Sequence, residues 1–430
     1  MPATPTDFFV LRRPLLPLSV WERAHEALAH DTAPDDVLRG VYQTHALLRD
    51  AVYFASPDVH QRLLAWLGSS DPVPERLQLT LYKYFVRASS RATPFGLLAG
   101  VSLGRWGEKT HFFFGENDSP RRHVRLDTRA LHQLTDALNA HPRLRRQLRY
   151  QANPARYIAG GEIRYVHPRY EANAPTYLLS AAPLPDWLDP VLRAAREGAT
   201  LGELAATAQT TGLSGHAARR VVEALVAHQV LLPTHGFALT GGDGLTQWLE
   251  HLDGFVGAGR LRAEGRAIGA LLQRGHPADC EAATRRLETL TGQAAPHPAV
   301  QADAWFANPD VRLGPAFRDQ LTRLADALLP LARRPDVPAL ARFRQRFTDR
   351  YGEREVPLLE VLDPDLGVGY DAAPPLVPWL DEIAWPTAAE PAAADSRQPT
   401  LVRLYAEALA GGRRTVALTD ADLAALRSSD

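Results

Sequence analysis

Across 430 residues, 45% hydrophobic and 23% charged side chains describe a globular chain too long for one ordinary domain. Basic and acidic residues number 48 and 49, a net charge of −1. That excludes a polybasic nucleic-acid coat while leaving room for a local basic patch. The single cysteine, Cys280, rules out an intramolecular disulfide and a cysteine-rich zinc site. The 15 histidines show no metal-binding spacing such as His-Glu-x-x-His, so no metal is expected. The first twenty residues lack a basic head and apolar core, being interrupted by Asp7, Arg12 and Arg13. No apolar run approaches the roughly 20 residues of a membrane span, and a cytoplasmic location is the default expectation.

In chain order, Phe8–Leu11 reads as a short strand running into Arg12-Arg13-Pro14. A helix is expected from Ser19, where Ser19 and Glu22 form a capping-box pattern. Asp35–Leu48 reads as one helix, and Ser56-Pro57 as the cap and first turn of another. Glu75–Ser90 is amphipathic, and Thr93-Pro94-Phe95-Gly96 predicts a sharp exit from it. The pattern then turns strand-like over Leu97–Leu103 and Thr110–Phe114, with a loop at Gly104 and Gly107, and again at Val124 and Leu126. Helices follow over Asp127–Asn139 and, arginine-rich, over Pro142–Leu148.

Gly160-Gly161 between Arg156–Ala159 and Glu162–Val166 is a hairpin signal. Tyr177–Ser180 adds a strand, three helices follow (Asp186–Arg196, Leu201–Ala208, Ser214–His228), and Val230–Leu232 closes the unit. This order resembles a winged helix-turn-helix. Leu245–Leu290 reads as helical, His297–Trp305 as extended, and Pro315–Ala332 and Pro338–Arg350 as helices. Asp371–Pro399, rich in proline and alanine, reads as a surface loop. Leu401–Ala410 is helical, Thr415–Leu418 strand-like, and Asp420 opens a last helix that leaves Leu423 and Leu426 without neighbours.

The fold class expected is α+β, helix-rich, with antiparallel sheets and an inserted winged helix-turn-helix. Three regions are expected: 1–149, 150–234 and 235–430.

The strongest chemical signal is Arg87-Ala88-Ser89-Ser90-Arg91-Ala92-Thr93-Pro94-Phe95-Gly96. Arg87 and Arg91 lie four apart, so a helix presents both on one face, with Lys83 extending the stripe. Such forks grip oxyanions. In a chain whose lysines are only Lys83 and Lys109, the competing interpretation is a solvated arginine face. Trp187, Trp248 and Trp305 read as core anchors, and Cys280 as unreactive. The glycines at 241, 242 and 244 lack the Lys-Ser/Thr of a phosphate loop.

The stretch Tyr84–Arg87 through Arg91–Gly100 resembles a signature of class I lanthipeptide (lantibiotic) dehydratases, the nisin dehydratase type. Phe9–Pro14, Gln301-Ala302-Asp303 and Tyr351–Pro364 resemble three further family segments in the same order. The resemblance implies the N-terminal glutamylation domain, which transfers glutamate from glutamyl-tRNA to Ser and Thr hydroxyls of a precursor peptide. It implies catalytic roles for Arg87, Arg91 and Asp303. It also implies a tRNA-binding role for Arg12, with Arg13 the alternative by a one-residue slip, alongside Arg87 and Arg91. Glutamyl-tRNA is then a co-substrate, and no metal or organic cofactor is implied.

The family's winged-helix element binds the precursor's leader peptide as an added strand. Here Tyr177, Leu178 and Leu179 on the third strand and Val222 on the third helix would flank that groove. The chain is truncated relative to the family's domain, and elimination belongs to a separate domain. A partner chain completing the site is therefore expected. Three alternatives stay open: a non-catalytic leader-binding subunit of a split dehydratase, an inactive gene fragment, and a DNA-binding helix-turn-helix supported by Arg219 and Arg220.

Overall fold

The computed structural model describes residues 3–30, 32–111, 120–171, 174–238, 240–307, 311–332, 337–370 and 397–427. The chain forms two compact units, one of Phe9–Arg105 and His111–Val311, the other of Met1–Phe8, Trp106–Thr110 and Arg312–Asp430.

The larger unit begins with β1 (Phe8–Pro14), whose first residue belongs to the smaller unit, and five helices: α1 (Leu18–Ala29), α2 (Pro34–Thr44), α3 (Ala46–Ala55), α4 (Pro57–Leu67) and α5 (Glu75–Ser90). The Ser19–Glu22 cap does not form. Helix α1 starts one residue earlier, after Pro17, without a side-chain cap, and the Leu16 N–H just before it donates to the Ala88 carbonyl at 2.8 Å. Ser56 does cap α4, accepting from the Val59 N–H. The helix expected over Asp35–Leu48 breaks at His45 (φ −100°, ψ 89°). Tyr42 and Leu48 are both fully buried in one core. Six residues apart in a continuous helix they would lie on well-separated faces. The break turns both inward, and Arg49 donates to the freed carbonyls of Tyr42 and Gln43.

Helix α5 buries Leu77, Leu81, Phe85 and Ala88, a stripe at helical spacing. It packs with Leu97 and Leu98 at the entry to β2 (Ala99–Trp106). Gly104, expected in a loop, lies inside β2: an added Cβ would stand 2.2 Å from the Phe9 ring, so the position must lack a side chain. Of the expected Thr110–Phe114 strand, residues 112–114 lie outside the described residues. β3 (Arg121–Leu126) leads into α6 (Thr128–Ala140), capped by the Asp127 carboxylate. The expected helix Pro142–Leu148 is a run of turns instead, with Leu144 and Leu148 fully buried.

β4 (Arg149–Ala152) pairs with β8 (Ala199–Thr200) and β9 (Leu231–Pro233), while β5 (Arg156–Ala159), β6 (Glu162–Glu171) and β7 (Ala174–Pro183) form a separate antiparallel sheet. The β5–β6 turn holds Gly160 and Gly161 at φ +61° and +79°, the left-handed pair that a two-residue hairpin demands. Helices α7 (Leu188–Ala194), α8 (Leu201–Thr210) and α9 (Gly215–Ala227) complete this region. Leu245–Leu290, expected to be helical, holds three helices: α10 (Gly244–Leu252), α11 (Gly259–Arg274) and α12 (Pro277–Thr291). Gly275, left-handed at φ +67°, ends α11, and Pro277 opens α12.

One hydrophobic cluster runs from Leu126 and Leu134 through Leu204, Val222 and Leu225 to Trp248, Ile268 and Leu287. The region of β4–β9 and α7–α9 therefore shares its core with α6 and α10–α12. β10 (Val300–Trp305) closes the main sheet, in the order β1-β2-β10-β3. It is antiparallel to β3 but parallel to β2, a pairing that antiparallel sheets alone do not describe.

In the smaller unit, Trp106 Nε1 donates to the Thr6 carbonyl and the Gly107 N–H to that of Leu313, in β11 (Arg312–Leu313). Then come α13 (Pro315–Leu328), a short 3₁₀ turn at Leu329–Leu331, α14 (Pro338–Tyr351), α15 (Leu358–Leu362), α16 (Gln398–Ala410) and α17 (Asp420–Leu426). Most of the expected Asp371–Pro399 loop falls outside the described residues, and its end, Gln398-Pro399, opens α16. Thr415–Leu418 is exposed and makes no strand. Leu426 is buried and Leu423 half-buried, so these residues do have neighbours.

Candidate functional site

Helix α5 delivers Arg87 on its last turn. The guanidinium lies over the Phe95 ring, 4.5 Å from its centroid. Its Nε is shielded from solvent without a hydrogen-bond partner. The Thr93–Gly96 turn thus folds an aromatic back onto the arginine that precedes it, which restricts the side chain by a cation–π contact. Arg91 is exposed and already extended (φ −114°, ψ 114°) as the residue capping the helix. It belongs to the exit, where the sequence pattern had placed it in the last helical turn.

The end of β1 reaches this turn through two backbone bonds, Leu16 N–H to Ala88 O and Leu15 N–H to Leu98 O. Gly96 lies close to β10: a Cβ there would sit 3.8 Å from the Ala302 carbonyl. So the segments carrying Arg12, Arg87, Arg91 and Asp303 converge at one end of the main sheet. Among the described residues, no hydrogen bond or ion pair joins any two of these four side chains.

Strand alternation sorts the sheet faces. Ala302 and Ala304 are buried against the α1–α5 core, so Gln301, Asp303 and Trp305 project from the opposite face. The register sets Arg125 opposite Gln301, His123 opposite Asp303 and Arg121 opposite Trp305. In β1, Phe9 lies over Gly104, and Arg13 stacks on Phe306 at 3.8 Å, on the core-facing side. Arg12 is exposed and, by alternation, shares the face of Asp303. The Phe9–Gly104 contact and the Leu15–Leu98 bond run β1 antiparallel to β2, bringing Arg12 near Val101, which itself pairs with Trp305.

Asp303 is half-exposed and its carboxylate accepts from Arg125 Nη1. Arg125 Nη2 also donates to Gln301 Oε1 at 3.1 Å, and Gln301 Nε2 donates to Asp127. Arg125, Arg121 and Trp305 were missed by sequence reasoning. The Arg-Arg-His-Val-Arg alternation of β3 was the available signal. Trp305, read from sequence as a core anchor, is instead 41% exposed, whereas Trp248 is buried.

The expected peptide groove divides. β7 is the end strand of its sheet. Tyr177 is 68% exposed, Leu179 is exposed on the same face, and Leu178 is half-buried. Val222 is 1% exposed within the main cluster, so it has no surface to offer a peptide, and this assignment is corrected. The apolar stripe of α9 (Ala218, Val222, Leu225) faces the core, leaving Arg219, Arg220 and Glu223 outward. Cys280 is buried on α12, its thiol pushed up to about 12 by burial, an inert position.

The fold is a helix-rich α+β architecture with one exposed sheet face of arginines around an aspartate. Residues 44–430 match the family model of the lantibiotic dehydratase N terminus, and the chain belongs to that family. It is 28% identical over 162 residues to the subtilin biosynthesis protein SpaB of Bacillus subtilis, covering 36% of this chain and 15% of that protein. The epidermin biosynthesis protein EpiB of Staphylococcus epidermidis is 20% identical over 138 residues, 32% of this chain and 13% of that one.

Among solved structures, the tRNA-dependent lantibiotic dehydratase MibB from Microbispora sp. 107891 superposes with a TM-score of 0.71 at 24% identity. That match covers 99% of this chain and 40% of the other. The TbtB glutamylation domain from thiomuracin biosynthesis, bound to 5′-phosphodesmethylglutamycin, gives 0.55 at 18% identity, covering 88% and 48%. These likenesses carry the fold, and this chain spans less than half of either solved chain. Among the described residues no helix is long and apolar enough to cross a membrane.

Proposed function

We propose that this chain supplies the glutamyl-transfer site of a lantibiotic-type dehydratase. A Ser or Thr hydroxyl of the precursor peptide attacks the glutamyl ester carbonyl of glutamyl-tRNA. The new peptide ester forms as the bond to the terminal ribose oxygen breaks, and the hydroxyl proton ends on that oxygen. In this reading Arg12, Arg87 and Arg91 hold phosphates at the acceptor end by charge-assisted forks. Asp303 orients the attacking hydroxyl or the charged α-amino group. The observation that carries the reading is the convergence of three sequence-distant segments at one sheet end, in a chain of this family. MibB's description as tRNA-dependent agrees with it.

The test is incubation with glutamyl-tRNA and a candidate precursor, with and without a candidate partner chain, followed by mass spectrometry. A gain of one glutamyl group is expected, and its loss in Arg87→Ala, Arg91→Ala and Asp303→Asn. Each arginine variant should weaken tRNA binding about tenfold to a hundredfold and flatten the salt dependence. Lysine restores binding only in part, lacking the planar fork. Full transfer in all three variants would refute the assignment.

The β4–β9 region is proposed to be the winged-helix element that takes the leader peptide, as an added strand beside β7. The exposed Tyr177 and Leu179 on that end strand favour it. Leu179→Asp should weaken leader binding measured by fluorescence polarisation, and unchanged binding would refute it.

A further inference from the structure

Trp305 is the last residue of β10 and points away from the core that buries Ala302 and Ala304. A tryptophan left 41% exposed in mid-face of a sheet calls for a partner, because its ring is among the largest apolar surfaces a side chain offers. Its surroundings define the partner's chemistry. Arg121 stands opposite it in register with its guanidinium 5.1 Å from the ring centroid. Along the same face lie His123, Arg125, Gln301 and Asp303, and Arg12 falls near the same row.

Along β10 and across β3 its neighbours are polar or charged, while on the β2 side Val101 pairs with it and Leu103 is exposed on the same face. A flat ring bordered by arginines fits a ligand with both a π face and phosphates, which is single-stranded nucleic acid. Asp303 lies two residues along the strand, about 7 Å away, so such a base would lie beside the group placed at the reacting ester.

We propose that Trp305 is the stacking platform for an unpaired nucleobase at the 3′ end of the charged tRNA, with Arg121 braced on the indole and facing an adjoining phosphate. This rests on the tRNA-dependent reading above and adds to it a residue that fixes where the strand end lies.

The experiment measures binding of the full chain to glutamyl-tRNA and to the same tRNA trimmed of its single-stranded 3′ end, across a salt series. Trp305→Ala should bind the intact RNA about tenfold to a hundredfold more weakly, the usual effect of removing one stacking aromatic. Its salt slope should stay unchanged, because stacking releases no counterions. Arg121→Ala should lower the slope as well. Trp305→Phe should retain most of the affinity. Trimming should weaken wild-type binding more than that of Trp305→Ala, in which only the arginine contacts to the strand end remain to be lost.

If wild type binds neither RNA, the tRNA reading itself falls. If wild type binds and Trp305→Ala matches it, or loses equally with both RNAs, only the stacking proposal falls. Should the alanine variant misfold by circular dichroism, the phenylalanine variant and the trimming effect on wild type decide: no effect of trimming refutes the proposal.

Discussion

The two units are each held together differently. The larger buries long runs of Leu, Val and aromatic side chains in two clusters, one under α1–α5 and one spanning α6–α12. In the smaller, α13 and α14 have no buried residue, and Phe317, Leu321, Leu324 and Leu328 are exposed along α13. Beside the buried Val361 and Val368, this unit carries a set of polar clasps. Arg346 donates to Val368 O, and Arg350 to Gly367 O and Leu366 O. The buried Asp363 accepts from the N–H groups of Asp365 and Leu366.

The Tyr351–Pro364 stretch, so distinctive in sequence, lies in this clasp. Gly367 is obligatory in it, since a Cβ would stand 2.1 Å from the Glu360 carbonyl. A distinctive motif can therefore mark a backbone device as readily as a reacting group.

The contrast is sharpest for a charge placed in each kind of interior. Val222→Asp puts an unpaired carboxylate into the main cluster and should cost about 4 kcal/mol or more, enough to unfold the larger unit. Denaturant melts followed by hydrogen exchange would check it, and a stable, fully protected variant would mean that the α9 stripe is not core.

His235 tests the same core through pH. It is 6% exposed with neither ring nitrogen partnered, and burial, aided by nearby His251, pushes its pKa from the ordinary 6.5 down to about 4. Folding therefore favours the neutral ring. The contribution is complete above pH 6.5 and is lost as pH falls towards 4, on the order of 3 kcal/mol in total. His235→Leu should flatten the stability curve over that window, and an unchanged curve would show that the ring is not buried uncharged.

In the smaller unit, Asp363→Ala removes the acceptor of the Asp365 and Leu366 N–H groups and should cost about 1 kcal/mol. The loss should appear as faster exchange over 358–369, with the larger unit unaffected. Smallest of all, Leu324→Ser on the exposed face of α13 should change stability by no more than about 0.5 kcal/mol. A larger loss would mean that this face is covered in solution.

What the sequence determined by itself was whatever acts within a turn or two. The extent of α5, the Ser56 cap, the Gly160-Gly161 hairpin and the exit at Thr93–Gly96 all follow from periodicity, side-chain caps and the backbone freedom of glycine. The candidate residues Arg12, Arg87, Arg91 and Asp303 were legible through resemblance, but not their geometry. Tertiary structure alone decided the break at His45, where two buried side chains had to face the same core. It alone made the parallel pairing of β10 with β2 across some 200 residues. That pairing sets which β10 residues face outward: it buries Ala302 and Ala304, hands Asp303 to Arg125, and leaves Trp305 open. A strand's alternation shows that it has two faces, but only its neighbours, brought together from distant segments, determine which face meets the core.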